Sequence, residues 1–257
     1  MGRPTKIGPD MDTADSGAIN TAMVLAAGFG TRMRPLTDRV PKPLLRLAGR
    51  ALIDHALDRL AEAGIERAVV NVHHFAGQVE AHLRGRISPQ IIISDERGGI
   101  LETGGGVRNA LPHLGRRPFI VHNSDSVWSE GARSNLKMLM GAWDQERMNA
   151  LLLLARRDAS IGYDGVGDFH RDAGGHLKRR IKGEDAPYVF AGVSILTPSL
   201  FEAIHDQAFS LNVIFDRASA AGSLFGAVLD GAWMHVGTPQ ALLEAESHLH
   251  ERQPLSA

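Results

Sequence analysis

The sequence predicts an α/β protein in which a mostly parallel mixed sheet is flanked by helices, in a Rossmann-like arrangement. From Thr21 to Ala155, short apolar runs alternate with segments whose apolar residues recur at helical spacing. The apolar runs are nearly continuous, as expected for strands that helices cover on both faces of a parallel sheet. With 257 residues, the chain is also long enough to bury a substantial core.

The first half of the chain follows this alternation element by element. Apolar runs predict strands at 21–27, 67–72, 90–94, 118–122 and 150–155. Helical spacing of apolar residues predicts helices at 51–63, 75–83, 107–114 and 134–143. Gly64 follows the first of these helices at the position where a C-terminal cap belongs.

The pattern changes after residue 160, where Gly and Asp become frequent. Strands are predicted at 166–170, 189–196 and 224–229, and helices at 212–221 and 239–250. No internal repeat or convincing linker interrupts the chain, so we expect one domain over residues 21–257. Residues 1–20 are polar and rich in Gly, Pro and Asp, which predicts a disordered tail.

The composition argues against several classes of protein. Lys and Arg (28) nearly balance Asp and Glu (29), which argues against a nucleic-acid partner. The absence of cysteine excludes disulfides and thiol catalysis. No apolar run approaches the roughly 18–20 residues of a membrane span, and the N-terminus lacks the apolar core of a signal peptide. We therefore expect a cytoplasmic protein with no membrane partner.

A glycine-containing loop with two arginines follows the first predicted strand. Gly28 and Gly30 would let backbone N–H groups approach an anion, and Arg32 and Arg34 carry permanent charge that suits phosphate. Neither common phosphate motif fits: the dinucleotide fingerprint needs Gly where Met33 stands, and the P-loop lysine pair is missing. Taken alone, the loop could also be a tight turn with solvated arginines.

A lysine between two prolines follows in Pro41-Lys42-Pro43. The prolines restrict the backbone on both sides, so the ammonium group starts from a fixed direction. A fixed positive charge suits a phosphoryl group whose charge builds up during a reaction. Alone, the tripeptide would be no more than a rigid loop.

Together, these two loops resemble a known signature. The segment from Gly28 to Thr37, followed by Pro41-Lys42-Pro43-Leu44, resembles the pattern G-x-G-T-R-x-x-P-L-T then P-K-P-L of the sugar-1-phosphate nucleotidyltransferases. The resemblance extends over the chain from Thr21 onward. It implies the nucleotide-diphospho-sugar transferase fold, which is GT-A-like, with a nucleotide-binding half at about 21–130 and a sugar-binding half at about 131–257. The implied reaction joins an NTP to a sugar 1-phosphate and releases pyrophosphate.

The resemblance also implies roles for individual residues. Arg32 would hold the β- and γ-phosphates, Lys42 would bridge the α-phosphate and the incoming phosphate, and Asp125 would bind Mg²⁺; these three would be the catalytic residues. Leu101–Gly106 resembles the loop that borders the nucleobase, where Gly104 and Gly105 would let the backbone lie flat against the ring; a helix-entry turn would explain only the glycines. The implied nucleotide-binding residues are Leu25, Ala26, Ala27, Gly28, Gly30, Thr31, Arg32, Lys42, Glu102, Gly104 and Gly105.

One position departs from the family pattern. Trp233–Pro239 resembles W-x-D-x-G-T-P, but His235 stands where the family has Asp, its second metal ligand. Imidazole is a poor ligand for Mg²⁺ and a better one for softer metals. Three accounts are open: Asp125 and the nucleotide phosphates alone hold the metal, His235 binds Mn²⁺ directly, or His235 acts through water.

The sugar-phosphate pocket is less clearly marked. The family places it in the middle and second half of the chain, where Asn123, Gly165, Gly192 and Asn212 are candidates because small and amide residues suit hydroxyl and N-acetyl groups. Each of them could equally be a turn residue. The family's E-K-P sugar motif has no clean counterpart, since Ile181–Pro187 matches it poorly.

Within the family, the compact length and the segments Leu-Glu-Thr-Gly-Gly-Gly and Phe-Ser-Leu-Asn are most like bacterial N-acetylmuramate-1-phosphate uridylyltransferases of cell-wall (peptidoglycan) recycling. Mannose-1-phosphate guanylyltransferase and glucose-1-phosphate thymidylyl- or uridylyltransferase are close alternatives, and a phosphocholine acceptor or a non-catalytic nucleotide-sugar binding protein are further ones. The expected partners are an NTP and a sugar 1-phosphate, and the expected oligomeric state is monomer or homodimer.

Overall fold

The computed structural model describes residues 18–252, which contain thirteen strands and six α-helices in the expected alternation. The strands are β1 (Thr21–Leu25), β2 (Arg46–Leu47), β3 (Arg50–Ala51), β4 (Arg67–Val72), β5 (Gln90–Asp95), β6 (Phe119–Asn123), β7 (Ser126–Glu130), β8 (Ala150–Arg156), β9 (Phe169–Arg171), β10 (Leu177–Arg179), β11 (Tyr188–Leu196), β12 (Leu224–Val228) and β13 (Gly231–His235). The helices are α1 (Leu52–Glu62), α2 (Ala76–Leu83), α3 (Glu102–Leu114), α4 (Asn135–Gly141), α5 (Leu211–Ala220) and α6 (Pro239–Arg252).

Nine strands form one mixed sheet. Its main path runs β10-β9-β11-β6-β1-β4-β5, with β8 beside β11 and β12 beside β8. The block β6-β1-β4-β5 is parallel, as is the pair β8-β12, whereas β11 is antiparallel to both β6 and β8. The predicted α/β fold with a mixed sheet flanked by helices is therefore confirmed.

The apolar run of β1 shows why its residues form a central strand. Ala22, Met23 and Val24 are all fully buried. Ala22 and Val24 pack in one hydrophobic cluster and Met23 packs in another, because successive side chains of a strand point to opposite faces. A strand with a core on each face needs apolar residues at nearly every position.

The halves of the chain share this sheet, since β11 pairs with β6 in register from Val193 to Leu196. For this reason we propose a single domain for residues 21–257. Most of the predicted tail, residues 1–17, lies outside the described residues, as do residues 253–257. Ile19 is buried, and the Asn20 carbonyl accepts a hydrogen bond from the Glu66 N–H at 2.9 Å. None of the helices described has the length and apolar character that crossing a membrane requires.

Helix α3 begins at Glu102, five residues before the predicted start at 107. Three consecutive glycines lower the helix propensity of this turn, which is why the pattern placed the start later. Tertiary contacts override that propensity. The N–H groups of Gly104 and Gly105 donate to the Phe209 carbonyl at 2.8 and 3.0 Å. A Cβ atom on Gly104 would lie 2.9 Å from that carbonyl and closer still to the Phe209 ring.

Replacing Gly104 by alanine is therefore expected to destabilise the protein by about 1–3 kcal/mol, because the added methyl group is forced against Phe209. Gly77 in α2 is a matched control, since its Cβ would meet nothing within 4 Å. Gly77→Ala should be neutral or should stabilise by less than about 1 kcal/mol. Urea unfolding of both variants measures the difference. Equal effects in the two helices would contradict the close packing of α3.

The pairing of β7 with β13 was not predicted from the sequence. These strands form a separate antiparallel sheet in which Trp233 faces Trp128 and His235 faces Ser126. Ser126–Glu130 has few apolar residues, and about a hundred positions separate the two strands, so no local pattern indicates the pair. Its effect is to bring His235 next to the segment that contains Asp125.

Candidate active site

A cavity of about 350 Å³ opens at the carboxyl ends of β1, β4 and β6. The strand order reverses at β1, with β4 on one side and β6 on the other, and such switch points are where open α/β sheets bind ligands. The predicted nucleotide-binding residues that line this cavity are Leu25, Ala26, Ala27, Gly28, Gly30, Thr31, Arg32, Lys42 and Glu102. Gly104 and Gly105 do not line it, because they are packed against the segment around Phe209.

The loop after β1 is shaped by close contacts. Gly30 has φ +64°, and a Cβ there would lie 2.9 Å from the Cβ of Lys42, so glycine lets the two loops meet. The Thr37 hydroxyl donates to the Gly30 carbonyl at 2.9 Å. Met33, in the place of the third dinucleotide glycine, is fully buried and packs in a hydrophobic cluster with Leu47. Met33 therefore anchors the loop to the core.

The two arginines of the loop differ in their surroundings. Arg34 pairs with Asp38 at 3.5 Å and does not line the cavity. Arg32 lines the cavity, its side chain is exposed, and no carboxylate of the described residues lies within ion-pair distance of it. Arg32 is therefore the arginine of this loop that is free to bind an anion.

Lys42 and Asp125, which both line the cavity, form an ion pair. The side chain of Lys42 is 13% exposed and that of Asp125 is 32% exposed, so water only partly screens the pair. Burial alone would raise the pKa of the Asp125 carboxyl, but the charge of Lys42 and its hydrogen bond hold that pKa below the ordinary value. Asp125 is therefore ionised, and its positively charged partner in the structure is the ammonium group of Lys42.

His235 lies beside this pair. Its ring contacts Tyr163 and Trp233, with centroids 5.8 and 5.5 Å apart, and a Cβ on Gly237 would collide with its Nε2. Gly237 itself lines the cavity. Burial lowers the pKa of His235, and the positive charge of Arg32 lowers it further. The imidazole is therefore neutral at neutral pH and adds no positive charge to the site.

The groups around Asp125 fit a cation that is shared with a nucleotide. Residues 18–252 contain no cluster of three or more His, Cys, Asp or Glu side chains that could hold a metal ion. Asp125 offers one carboxylate, and His235 offers a neutral imidazole next to it. Ions such as Mg²⁺ are commonly held by one or two carboxylates, with water and substrate phosphates completing the shell, so the single carboxylate of Asp125 fits such an ion.

Two buried residues at the cavity were missed in the sequence. The Ala26 N–H donates to Asn71 Oδ1 at 2.7 Å, and Asn71 Nδ2 donates to Glu96 Oε1 at 2.8 Å. Glu96 is 3% exposed, and burial raises its pKa in spite of the hydrogen bond from Asn71. These contacts fix the start of the phosphate loop. A polar Asn inside an otherwise apolar strand was the signal that could have identified them.

The four predicted sugar-site residues lie in three different parts of the structure. Asn123 lines the cavity, and Gly192, with φ +79°, lies beside it: a Cβ on Gly192 would be 3.1 Å from Asn123 Nδ2. Gly165 lies against the hydroxyl group of Tyr163. Asn212 belongs to α5, does not line the cavity, and accepts a hydrogen bond from Arg179 at 3.2 Å. The structure thus brings together two of the four.

Comparison with known proteins assigns this arrangement to a family. Residues 21–252 match the sequence profile described as nucleotidyl transferase. The chain belongs to the nucleotidyl transferase family. An N-acetylmuramate alpha-1-phosphate uridylyltransferase from Caulobacter vibrioides is 50% identical to it over 240 residues, which cover 92% of this chain and 99% of that protein. A protein of the same description from Neisseria meningitidis is 34% identical, covering 88% of this chain and 96% of that protein.

Solved structures of nucleotidyltransferases share the fold. The inositol-1-phosphate CTP transferase of T. maritima superimposes with a TM-score of 0.71 and covers 91% of this chain and 98% of that one, at 21% identity. The family match and the two relatives confirm the resemblance to sugar-1-phosphate nucleotidyltransferases, and the chain is an enzyme of this family.

Proposed function

We propose that this nucleotidyltransferase moves the uridylyl group of UTP to N-acetylmuramate 1-phosphate, forming UDP-N-acetylmuramate and releasing pyrophosphate. The observation that carries the proposal is the 50% identity to the Caulobacter vibrioides enzyme over 99% of its length. The position of Arg32, Lys42 and Asp125 around one cavity supports the nucleotidyl transfer itself.

The reaction needs charge neutralisation more than proton transfer. A phosphate oxygen of the sugar 1-phosphate forms a bond to the α-phosphorus, and the bond from that phosphorus to pyrophosphate breaks on the opposite side. The attacking phosphate is already an anion, so no general base is required. Lys42, fixed between two prolines, would hold the α-phosphate against the incoming phosphate, and Arg32 would neutralise the leaving pyrophosphate.

A divalent cation is part of this proposal. Mg²⁺ is the expected ion, Mn²⁺ is an alternative, and Asp125 is the residue that would hold it. When bound, the ion would neutralise charge on the nucleotide phosphates. In the structure, the ammonium group of Lys42 is ion-paired with the Asp125 carboxylate. With nucleotide and metal bound, Lys42 would leave the carboxylate and contact a phosphate instead.

His235→Asp tests whether the unusual residue belongs to the metal site. We expect tighter binding of Mg²⁺, and a shift of preference from Mn²⁺ towards Mg²⁺, because the change places a second hard oxygen ligand beside Asp125. Titration of each ion against the protein, by calorimetry and by activity, measures the effect. His235→Asn is the matched control without the charge. Unchanged affinities and unchanged preference in both variants would remove His235 from the site.

The cellular role follows from the proposed product. A UDP-activated N-acetylmuramate is a precursor for cell-wall polymers, so we propose that the enzyme serves peptidoglycan recycling. We propose a cytoplasmic location because UTP is made there. The oligomeric state, monomer or homodimer, stays a prediction that light scattering can test.

A pyrophosphate-release matrix tests the proposed function. The donors are UTP, CTP, GTP, ATP and dTTP, and the acceptors are the 1-phosphates of N-acetylmuramate, N-acetylglucosamine, mannose and glucose. We expect the highest kcat/KM for UTP with N-acetylmuramate 1-phosphate. A higher value for GTP with mannose 1-phosphate, or for dTTP or UTP with glucose 1-phosphate, would replace the proposal by the corresponding alternative. No pyrophosphate release in any combination would favour a binding protein.

A further inference from the structure

The proposed acceptor carries a group that the catalytic residues do not account for. N-acetylmuramate differs from N-acetylglucosamine by a lactyl ether, which ends in a carboxylate. Arg32 and Lys42 are assigned to phosphates, so selection of this carboxylate needs other donors. A carboxylate is bound best by paired hydrogen-bond donors of which at least one is charged. A site for this carboxylate would deepen the proposed function, on which it rests.

A series of contacts connects Asn123, which lines the cavity, to such a pair of donors. Gly192 packs against Asn123 and Ser126, and the Trp233 indole donates to the Ser126 hydroxyl at 3.3 Å. The ring of Tyr163 contacts both Trp233, at 5.9 Å between centroids, and His235. Tyr163 therefore lies one contact beyond His235, and it also contacts the predicted sugar residue Gly165. Neither Tyr163 nor Arg180 lines the cavity itself.

Tyr163 and Arg180 are held by the two backbone groups of one glycine. The Gly167 N–H donates to the Tyr163 hydroxyl at 3.1 Å, and Arg180 Nε donates to the Gly167 carbonyl at 2.8 Å. Gly167 has φ +80°, and a Cβ there would collide with the Ala186 carbonyl, so only glycine fits. Gly165 makes room for the same hydroxyl.

Both groups have donor capacity left. The Tyr163 oxygen accepts from Gly167, and among the described residues its own proton has no acceptor. Burial raises the pKa of Tyr163, so the hydroxyl keeps that proton. Arg180 donates to the carbonyls of Gly167 and Glu184, but within residues 18–252 no carboxylate lies within 4 Å of its guanidinium group. Arg180 therefore forms no ion pair among residues 18–252, although Asp168, next to Gly167, also acts electrostatically on Tyr163.

The neighbouring arginines are already paired. Arg157, which also acts electrostatically on Tyr163, forms an ion pair with Asp185 at 2.6 Å. Arg179 points to α5, where it pairs with Asp216 at 2.7 Å. Of the arginines around Tyr163, Arg180 is thus the one with charge to offer a ligand.

We propose that the Tyr163 hydroxyl and the Arg180 guanidinium form a subsite for the carboxylate of an acidic sugar 1-phosphate. The two donors would bind the lactyl carboxylate of N-acetylmuramate 1-phosphate while the phosphate lies at Lys42. Acceptors without the carboxylate would make no use of these donors. Tyr163 and Arg180 are therefore specificity-determining residues of this enzyme.

Steady-state kinetics with two acceptors tests the subsite. Pyrophosphate release is measured at saturating UTP and Mg²⁺ with N-acetylmuramate 1-phosphate and with N-acetylglucosamine 1-phosphate, which lacks only the lactyl group. If the second acceptor turns over too slowly, its inhibition constant against the first replaces its KM. For Arg180→Gln we expect KM for the acidic acceptor to rise by about ten- to a hundredfold, with kcat changed by less than about threefold. The constant for the neutral acceptor should not change.

Two further variants keep the test decisive. Tyr163→Phe retains the ring contacts and should raise KM for the acidic acceptor alone, by less than Arg180→Gln does. Lys182→Ala removes an exposed charge two positions from Arg180 and should change neither acceptor. Equal losses with both acceptors, or an unchanged KM for the acidic one, would overturn the subsite. Failure of the wild-type enzyme to use N-acetylmuramate 1-phosphate, with turnover of another acceptor, would instead overturn the proposed function.

Discussion

Lys42→Ala is expected to lower kcat by about 10³-fold while KM for UTP changes by less than about threefold. A cation aimed at developing phosphoryl charge contributes mainly in the transition state, and the loss of one such group typically reduces turnover by about 10²–10³ or more. Lys42 is fixed for this task by Pro41 and Pro43 and by its contact with Gly30. Single-turnover kinetics with saturating UTP measures the step directly.

Lys182→Ala is the control for the loss of a lysine, because Lys182 is exposed and outside the cavity. A thermal melt of Lys42→Ala separates catalysis from folding, since the variant also breaks the ion pair with Asp125. Turnover within about tenfold of the wild type in a folded variant would contradict the role of Lys42.

Asp125→Ala should abolish turnover to a similar extent, at least about 10³-fold, because the expected metal ligand is removed and Lys42 loses its partner. Binding of Mn²⁺, followed by electron paramagnetic resonance with and without UTP, should weaken together with turnover. The measurement of binding separates a metal ligand from a residue that only orients Lys42.

The double variant Lys42→Ala/Asp125→Ala adds a further test. If the two residues act as one unit, its loss should be close to that of either single variant rather than their product. Undiminished Mn²⁺ binding in Asp125→Ala, or retained turnover, would exclude Asp125 as the metal ligand.

The parts of the site formed by residues that directly follow a strand in the sequence could be predicted. Gly28, Gly30 and Arg32 follow a strand directly, so the sheet fixes where the loop lies. Asp125 follows β6, which pairs with β1, and the same rule brings it to the same edge. Local pattern and topology place the loop with Gly28, Gly30 and Arg32, whereas Asp125 was singled out by the family resemblance.

The contacts that the sequence could not show are made by residues far apart in the chain. Gly104 has the flexibility that a nucleobase loop needs, but Phe209, which approaches it, lies about a hundred positions away. The hydrogen bond from Ala26 to Asn71 also spans 45 positions, and the one from Arg180 to Gly167 spans 13. Residue types show which interactions a side chain can make, whereas tertiary packing determines which partner it contacts.

The pairing of β7 with β13 has a consequence for the order in which the enzyme becomes competent during synthesis. Arg32, Lys42 and Asp125 are synthesised before β13, which is the last strand among residues 18–252. β13 ends at His235, beside Asp125, and Gly237, which lines the cavity, follows two positions later. Pairing over such a separation forms late because it must close a long loop. The growing chain therefore carries its phosphate-binding groups in an unfinished pocket, and the pocket is completed only when the segment from β13 to Gly237 docks.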